Sequence, residues 1–215
     1  MNIILLGAPG SGKGTQAEYL VERQKFIQLS TGDLMRKAMS DKTSLGIECE
    51  KYISNGQLVP DYITNGIVNE YMQKVNDNLI FDGYPRTVNQ AEFLDEMLNK
   101  LNKKINLVIF IDVEESILVE RISGRIVCPT CKRSYHKINK MPKIKWICDF
   151  DATPLIVRSD DSPEKTKTRL EVYSKQTKTL ISYYEKRNIL RQIHAGNRSA
   201  DDIYSEIEKE MELIK

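Results

Sequence analysis

No apolar run in this sequence approaches the length needed to cross a bilayer, and no charged leader with a cleavage site precedes the first apolar residues. A membrane-spanning helix is excluded, and a cytoplasmic location is the expectation. Neither charge sign dominates: 32 Lys+Arg against 30 Asp+Glu leave a formal net charge of +2. The chain therefore has no general basic surface for nucleic acid and no acidic tail. Internal repeats and low-complexity tracts are absent. Cysteine is sparse, and four thiols in a chain of this kind read as metal ligands or free thiols rather than as a disulfide framework. What remains is 215 residues, 40% hydrophobic and 29% charged, enough for one substantial core with small inserted subdomains.

Short apolar runs at Ile3–Leu6, Leu79–Phe81, Leu107–Ile111 and Leu190–His194 read as strands. Helical spacing lies between them at Gln16–Lys25, Ala91–Leu101 and Ser116–Ile122. Such alternation argues for an α/β fold with a parallel sheet covered on both faces. The segment 30–59 is polar and helical, without a strand of its own. Residues 126–158 differ again, with three cysteines, three prolines, the only Trp and a cluster of lysines.

GAPGSGKGT at 7–15 falls between the first strand and the first helix. In that context Gly7-x4-Gly12-Lys13 is a phosphate-cradling loop. Small residues let backbone N–H groups turn inward, the helix N-terminus adds partial positive charge, and Lys13 reaches the β- and γ-phosphates. Gly14 follows the lysine where Ser or Thr is usual, and Thr15 comes one residue later, which weakens direct Mg²⁺ ligation by a hydroxyl. The second strand run ends in Asp82, at the sheet edge beside this loop. A carboxylate there is placed to hold Mg²⁺ directly or through water.

Cys128-Pro-Thr-Cys131 and Cys148-Asp-Phe-Asp151 form two knuckles with the paired spacing of a structural zinc ribbon, except that the second ends in Asp. Asp151 and His136 compete for the fourth position. Four protein ligands leave no open coordination site, so the metal's role is to hold a small lid together. Cys49 is a lone thiol on a polar helix, Trp146 reads as part of the lid's core, and His194 as a strand-end residue.

GAPGSGKGTQA, STGDLMR (30–36), GQLVP (56–60), FDGYPRT (81–87), RISGR (121–125) and RSDD…KTRL (158–170) resemble, in order and spacing, the long-lid form of adenylate kinase. The resemblance covers nearly the whole chain. It implies a P-loop NTPase-type sheet as core (1–29, 60–124 and 160–215), a helical NMP-binding insertion (30–59) and a small zinc-ribbon-like lid (125–159). The implied reaction is reversible transfer from MgATP to AMP giving two ADP, in a monomer, with Mg²⁺ accompanying ATP. Zinc-bearing lids of that family include a set of three cysteines and one aspartate, here Cys128, Cys131, Cys148 and Asp151.

By the same resemblance, Gly10, Ser11, Gly12, Lys13, Gly14 and Thr15 bind ATP phosphates. Arg121 stacks on the ATP base, with Ser134, Tyr135, His136 and Asn197 nearby. Arg36 and Arg86 hold the AMP phosphate beside Gly83, Tyr84 and Pro85. Arg125, Arg158 and Arg169 close over the transferring group, and Asp160 and Asp161 orient them. Arginine suits these roles because its rigid fork binds phosphate oxygens bidentately and keeps its charge. Gln90 carries a donor and an acceptor that pair with the adenine 6-amino group and N1, with Thr31 and the Gln57, Leu58 and Val59 backbone completing the pocket. Thr31 favours AMP, since the similar uridylate/cytidylate kinases carry Ala there and lack a long lid.

One rival reading is a nucleic-acid-binding zinc module on an NTPase, suggested by KINKMPKIKW beside the knuckles. The near-neutral charge and the shortness of that run count against it. A switch GTPase is a third reading, but the chain has no Asn-Lys-x-Asp motif.

Overall fold

The structure, a computed structural model, describes residues 1–75 and 78–214. Strands β1 (Ile3–Leu6), β2 (Ile27–Ser30), β3 (Leu79–Asp82), β4 (Leu107–Asp112) and β7 (Leu190–His194) form a parallel sheet in the order β2-β3-β1-β4-β7. Alternate side chains feed two cores. Ile4, Leu6, Phe81, Val108 and Phe110 face one, packed against α4 (Asp61–Met72), α5 (Val88–Lys100) and α8 (Thr179–Glu185). Ile3, Leu5, Ile80, Ile109 and Ile111 face the other, under α1 (Lys13–Gln24) and α9 (Ala200–Glu212). Burial on both faces explains why the central strands are continuous apolar runs.

The sequence reading has no strand between the phosphate loop and Leu79, and the structure corrects this with β2. That strand lies at the sheet edge and buries only Leu29 fully. An edge strand with one buried face lacks the apolar run that marks its neighbours. Its last residue, Ser30, also caps the next helix by accepting from the Asp33 N–H at 3.3 Å.

Two elements carry small cores of their own. Helices α2 (Thr31–Ser40) and α3 (Ser44–Ile53) close over Met35, Cys49, Val59 and Ile63. Cys49 is wholly buried there, so the polar helix presents its thiol inward. After α6 (Glu115–Ser123), the antiparallel pair β5 (Arg125–Val127) and β6 (Ser134–His136) opens a lobe built around Ile126, Cys128, Tyr135, Cys148 and Leu155. Trp146 is not in that core, contrary to expectation. It takes a left-handed φ of 65° and is 38% exposed, with the Lys137 ammonium 6.0 Å from its ring. Helix α7 (Pro163–Val172), capped by Ser162 with Pro163 in its first turn, runs through a π-helical turn at Tyr173–Thr177 into α8.

Candidate active site

The strands' C-terminal ends line up, with Leu5 beside Asp82 and Leu6 beside Phe110. The chain leaves β1 there through the glycine loop and enters α1. At Gly7 (φ 152°) a Cβ would lie 2.7 Å from the Ile111 carbonyl oxygen, and Gly12 takes a φ of 101° just before Lys13. Only glycine meets both demands. The resulting loop turns the α1 N-terminus toward a cleft of about 670 Å³.

Lys13 leans back onto that loop, donating to the carbonyls of Gly7 (2.7 Å) and Ala8 (2.9 Å). Burial lowers its pKa to about 8; Asp82 opposes the shift, and Arg86, Arg169 and Arg125 add to it. Asp82 accepts from Gln28 Nε2 at 3.0 Å, and burial raises its pKa. Gly14 faces this carboxylate without a side chain, its Cβ position 4.0 Å from Asp82 Oδ2. Asp82 and the glycine loop line the same cleft, and a carboxylate oxygen is a donor of the kind Mg²⁺ takes. Ser11 is 1% exposed, with its hydroxyl at the loop's inner face, and Gly10 and Thr15 also line the cleft.

The predicted arginines converge here. Arg125, at the start of the lid, and Arg169, on α7, share one carboxylate. Asp161 accepts from Arg125 Nε (2.8 Å) and Nη2 and from Arg169 Nη1 (2.8 Å), while Asp160 pairs with Arg169 at 3.0 Å. Burial acts to lower the Arg125 pKa, but Asp161 and Asp160 more than offset it. Arg158 lines the cleft and is pushed down to about 10 by burial and by Arg36 and Arg125. It remains charged at neutral pH. Arg36 pairs with Asp33 at 2.7 Å, and Arg86 Nε donates to the Gly83 carbonyl at 2.8 Å.

Other candidates fall less simply. Thr31 donates to the Gly83 carbonyl at 2.9 Å. Leu58, Gly83 and Pro85 line the cleft, whereas Gln57 is exposed and Tyr84, Val59 and Gln90 are buried behind it. Gln90 is 1% exposed with both ends of its carboxamide engaged. Arg121 spans from the Ser11 carbonyl (3.3 Å) to that of Gly196, beside Asn197. Tyr135 reaches the cleft edge, but its hydroxyl accepts from the Asp149 N–H at 2.9 Å inside the lid. Sequence reasoning missed Gln28 and two carboxylates of α1. Glu18 accepts from the Ser134 N–H at 3.3 Å and pairs with Lys140 at 3.6 Å, and Glu22 pairs with Arg133, so the lid rests on α1. The i, i+4 spacing of Glu18 and Glu22 was the available signal.

In the lid, ligand atoms of Cys128, Cys131, Cys148 and Asp151 all lie within 4.8 Å of one another. Cys131 and Cys148 sulfurs are 3.6 Å apart, and Cys128 Sγ lies 3.3 Å from Asp151 Oδ2. Tetrahedral Zn²⁺ with Zn–S of about 2.3 Å sets ligand atoms roughly 3.5–3.8 Å apart, so the residues fit the ion. His136 sits outside the cluster, its Nδ1 accepting from the N–H groups of Ile138 and Asn139.

Cations from the glycine loop, the turn between β3 and α5, α7, the insertion and the lid all line one cleft, more than a single triphosphate requires. The class this defines is a P-loop phosphotransferase whose acceptor is itself phosphorylated. The sequence model for adenylate kinase matches residues 5–189. The chain is 54% identical over 208 residues to the adenylate kinase of Mesoplasma florum, covering 96% of this chain and 98% of that one. It is 52% identical over 213 residues to that of Mycoplasma capricolum subsp. capricolum (99% and 100%), and 46% identical over 209 residues to that of Clostridium botulinum strain 657 (96% of each). The chain belongs to the adenylate kinase family, whose members catalyse reversible phosphoryl transfer between ATP and AMP and use Mg²⁺ with ATP. No helix among the described residues is long and apolar enough to cross a membrane.

The lowered Lys13 pKa gives a signed prediction. In the free protein the ammonium loses its proton as pH rises through about 8, whereas bound phosphate oxygens favour the charged form. MgATP binding measured calorimetrically in two buffers of different ionisation enthalpy should take up close to one proton at about pH 9 and far less at about pH 6.5. Lys13→Met should abolish the difference. Equal uptake at both pH values in the native protein would contradict the assignment.

Proposed function

We propose that the protein transfers the γ-phosphoryl group of MgATP to an AMP phosphate oxygen, giving two ADP. The acceptor oxygen forms the new P–O bond in line while the bond from Pγ to the β–γ bridging oxygen breaks, and the departing ADP keeps that electron pair. The acceptor is already anionic at neutral pH, so no general base is needed. The observation that carries this reading is the arginine set held by Asp160 and Asp161 opposite Lys13 across one cleft. A loose transition state spreads charge over the γ-phosphoryl oxygens, and cations already in place stabilise it without reorganising. Lys13, Arg125, Arg158 and Arg169 would take that charge, Arg36 and Arg86 the AMP phosphate, and Asp82 the waters of the Mg²⁺ that ATP brings.

In this reading the insertion (30–59) and the lid (125–159) move against the core, as gating elements that close over bound substrate do. Their separate small cores support it. Closure excludes water, the competing acceptor. Gln90 is covered here, so AMP enters with the insertion displaced and its base then meets Gln90 and Thr31. Arg121, Asn197, Ser134 and Tyr135 border the ATP base. Zinc, held by Cys128, Cys131, Cys148 and Asp151, would be structural. The working unit is taken as a cytoplasmic monomer that binds ATP, AMP and ADP and needs neither nucleic acid nor a membrane.

The test of function is ADP formation from MgATP with AMP, UMP, CMP and GMP as separate acceptors. AMP should be strongly preferred, and Arg86→Ala should lower its kcat/KM by on the order of a hundredfold or more without unfolding the protein. Equal use of UMP or CMP would discard the base-reading argument, and no transfer to any acceptor would discard the function. Metal analysis should find about one zinc per chain, lost in Asp151→Ala and Cys148→Ser together with heat stability of the lid. Metal-free protein whose lid melts unchanged after chelation would remove the zinc assignment.

A further inference from the structure

Asp61 is the first residue of α4, where the chain leaves the insertion. Both of its carboxylate oxygens are engaged: Oδ1 accepts from Gln90 Nε2 at 2.7 Å, and Oδ2 accepts from Thr87 Oγ1 at 2.9 Å. At the other end of the Gln90 carboxamide, the Arg86 backbone N–H donates to Oε1 at 2.7 Å. Thr87 Oγ1 in turn accepts from the Gln90 backbone N–H at 3.1 Å, which closes a ring through Asp61, Thr87 and Gln90 at the first turn of α5.

A carboxylate only accepts and a backbone N–H only donates. These two contacts therefore dictate by chemistry which end of the carboxamide is oxygen and which is nitrogen. Turned over, it would set oxygen against carboxylate and NH₂ against N–H. Gln90 is 1% exposed, so water does not weaken either preference.

The locked orientation bears on base choice, given the reading above in which Gln90 meets the purine edge. Each end of the carboxamide keeps one unused position, a lone pair on Oε1 and an N–H on Nε2. An acceptor beside a donor complements a 6-amino group beside an unprotonated N1. A 6-oxo purine presents the reverse, an acceptor at O6 and a donor at N1, and would set like against like. We infer that Asp61 is a positioning residue for purine polarity: with the Arg86 N–H, its carboxylate holds Gln90 in the orientation that accepts a 6-amino purine monophosphate and rejects a 6-oxo one.

The test compares AMP with IMP as acceptors, reading kcat and KM separately for the native enzyme, Asp61→Asn, Asp61→Ala and Gln90→Ala. An Asn amide at 61 can donate to Gln90 or accept from it, so the carboxylate's share of the lock is lost and only the Arg86 N–H still opposes the turned-over carboxamide. The AMP-over-IMP ratio of kcat/KM should fall about tenfold or more in Asp61→Asn, chiefly through KM, with the KM for MgATP little changed. A ratio unchanged in Asp61→Asn but collapsed in Gln90→Ala overturns the role of Asp61 and leaves the base reading in place. A ratio unchanged in Gln90→Ala overturns the base reading and this inference with it. Loss of rate for both acceptors alike marks a structural role only and also overturns it. If Asp61→Asn lacks a cooperative melt, the same ratio is read on Asp61→Ala, which removes the carboxylate without adding a group to place.

Discussion

The structure depends on confining like charges. Lys13, Arg36, Arg86, Arg125, Arg158 and Arg169 all reach one cleft, and two unit charges 4 Å apart repel by about 4 kcal/mol at an effective dielectric near 20. Such a cluster folds only if carboxylates offset it. Asp33 holds Arg36, Asp82 lies in the field of Lys13, and Asp160 and Asp161 hold Arg169 and Arg125. The carboxylates are fewer than the cations, and the remaining demand for negative charge is what phosphates satisfy. Affinity for polyphosphate and the effort of folding a cationic cleft are thus one electrostatic fact seen from two sides.

That arrangement lies where the smaller lobes join the core. Arg125 is the first residue of the lid's first strand, and Asp160 and Asp161 precede α7 at its return. Both ends of the lid segment therefore carry charged groups of the cleft's ion-pair network. The lid's own core is small, and metal fixation of its cysteines and Asp151 would let it move as a rigid cover. On the other side, the insertion starts at Ser30, the end of β2, and ends just before Asp61, so the residues flanking it, Gln28 and Asp61, bond Asp82 and Gln90.

Much of this was legible in the sequence, for physical reasons. Central parallel strands are buried on both faces and read as apolar runs, so β1, β3 and β4 were plain. The glycine loop was plain because close approach to Ile111 and a positive φ at Gly12 leave no other residue type. Edge strand β2 was not, since a strand with one buried residue has no distinctive pattern. Trp146 was misread because size and apolarity suggest a core, whereas a left-handed turn beside Lys137 turns it outward. The arginines came from motif order, and the candidate zinc ligands from the spacing of two knuckles. Gln28, Glu18 and Asp61 were not legible, because the groups they bond, Asp82, the Ser134 N–H and Gln90, lie far from them in sequence and only the fold brings such pairs together.

Carboxylates hold the arginines in place before the phosphates arrive, and Asp161→Asn removes that hold at its most shared point. The side chain is isosteric and 1% exposed, so shape is kept while the charge shared by Arg125 and Arg169 is lost. Steady-state kinetics with AMP should show kcat reduced by on the order of a hundredfold, with both KM values within a few-fold and a cooperative melt retained. A kcat within about twofold of the native value in a folded Asp161→Asn enzyme would contradict the account.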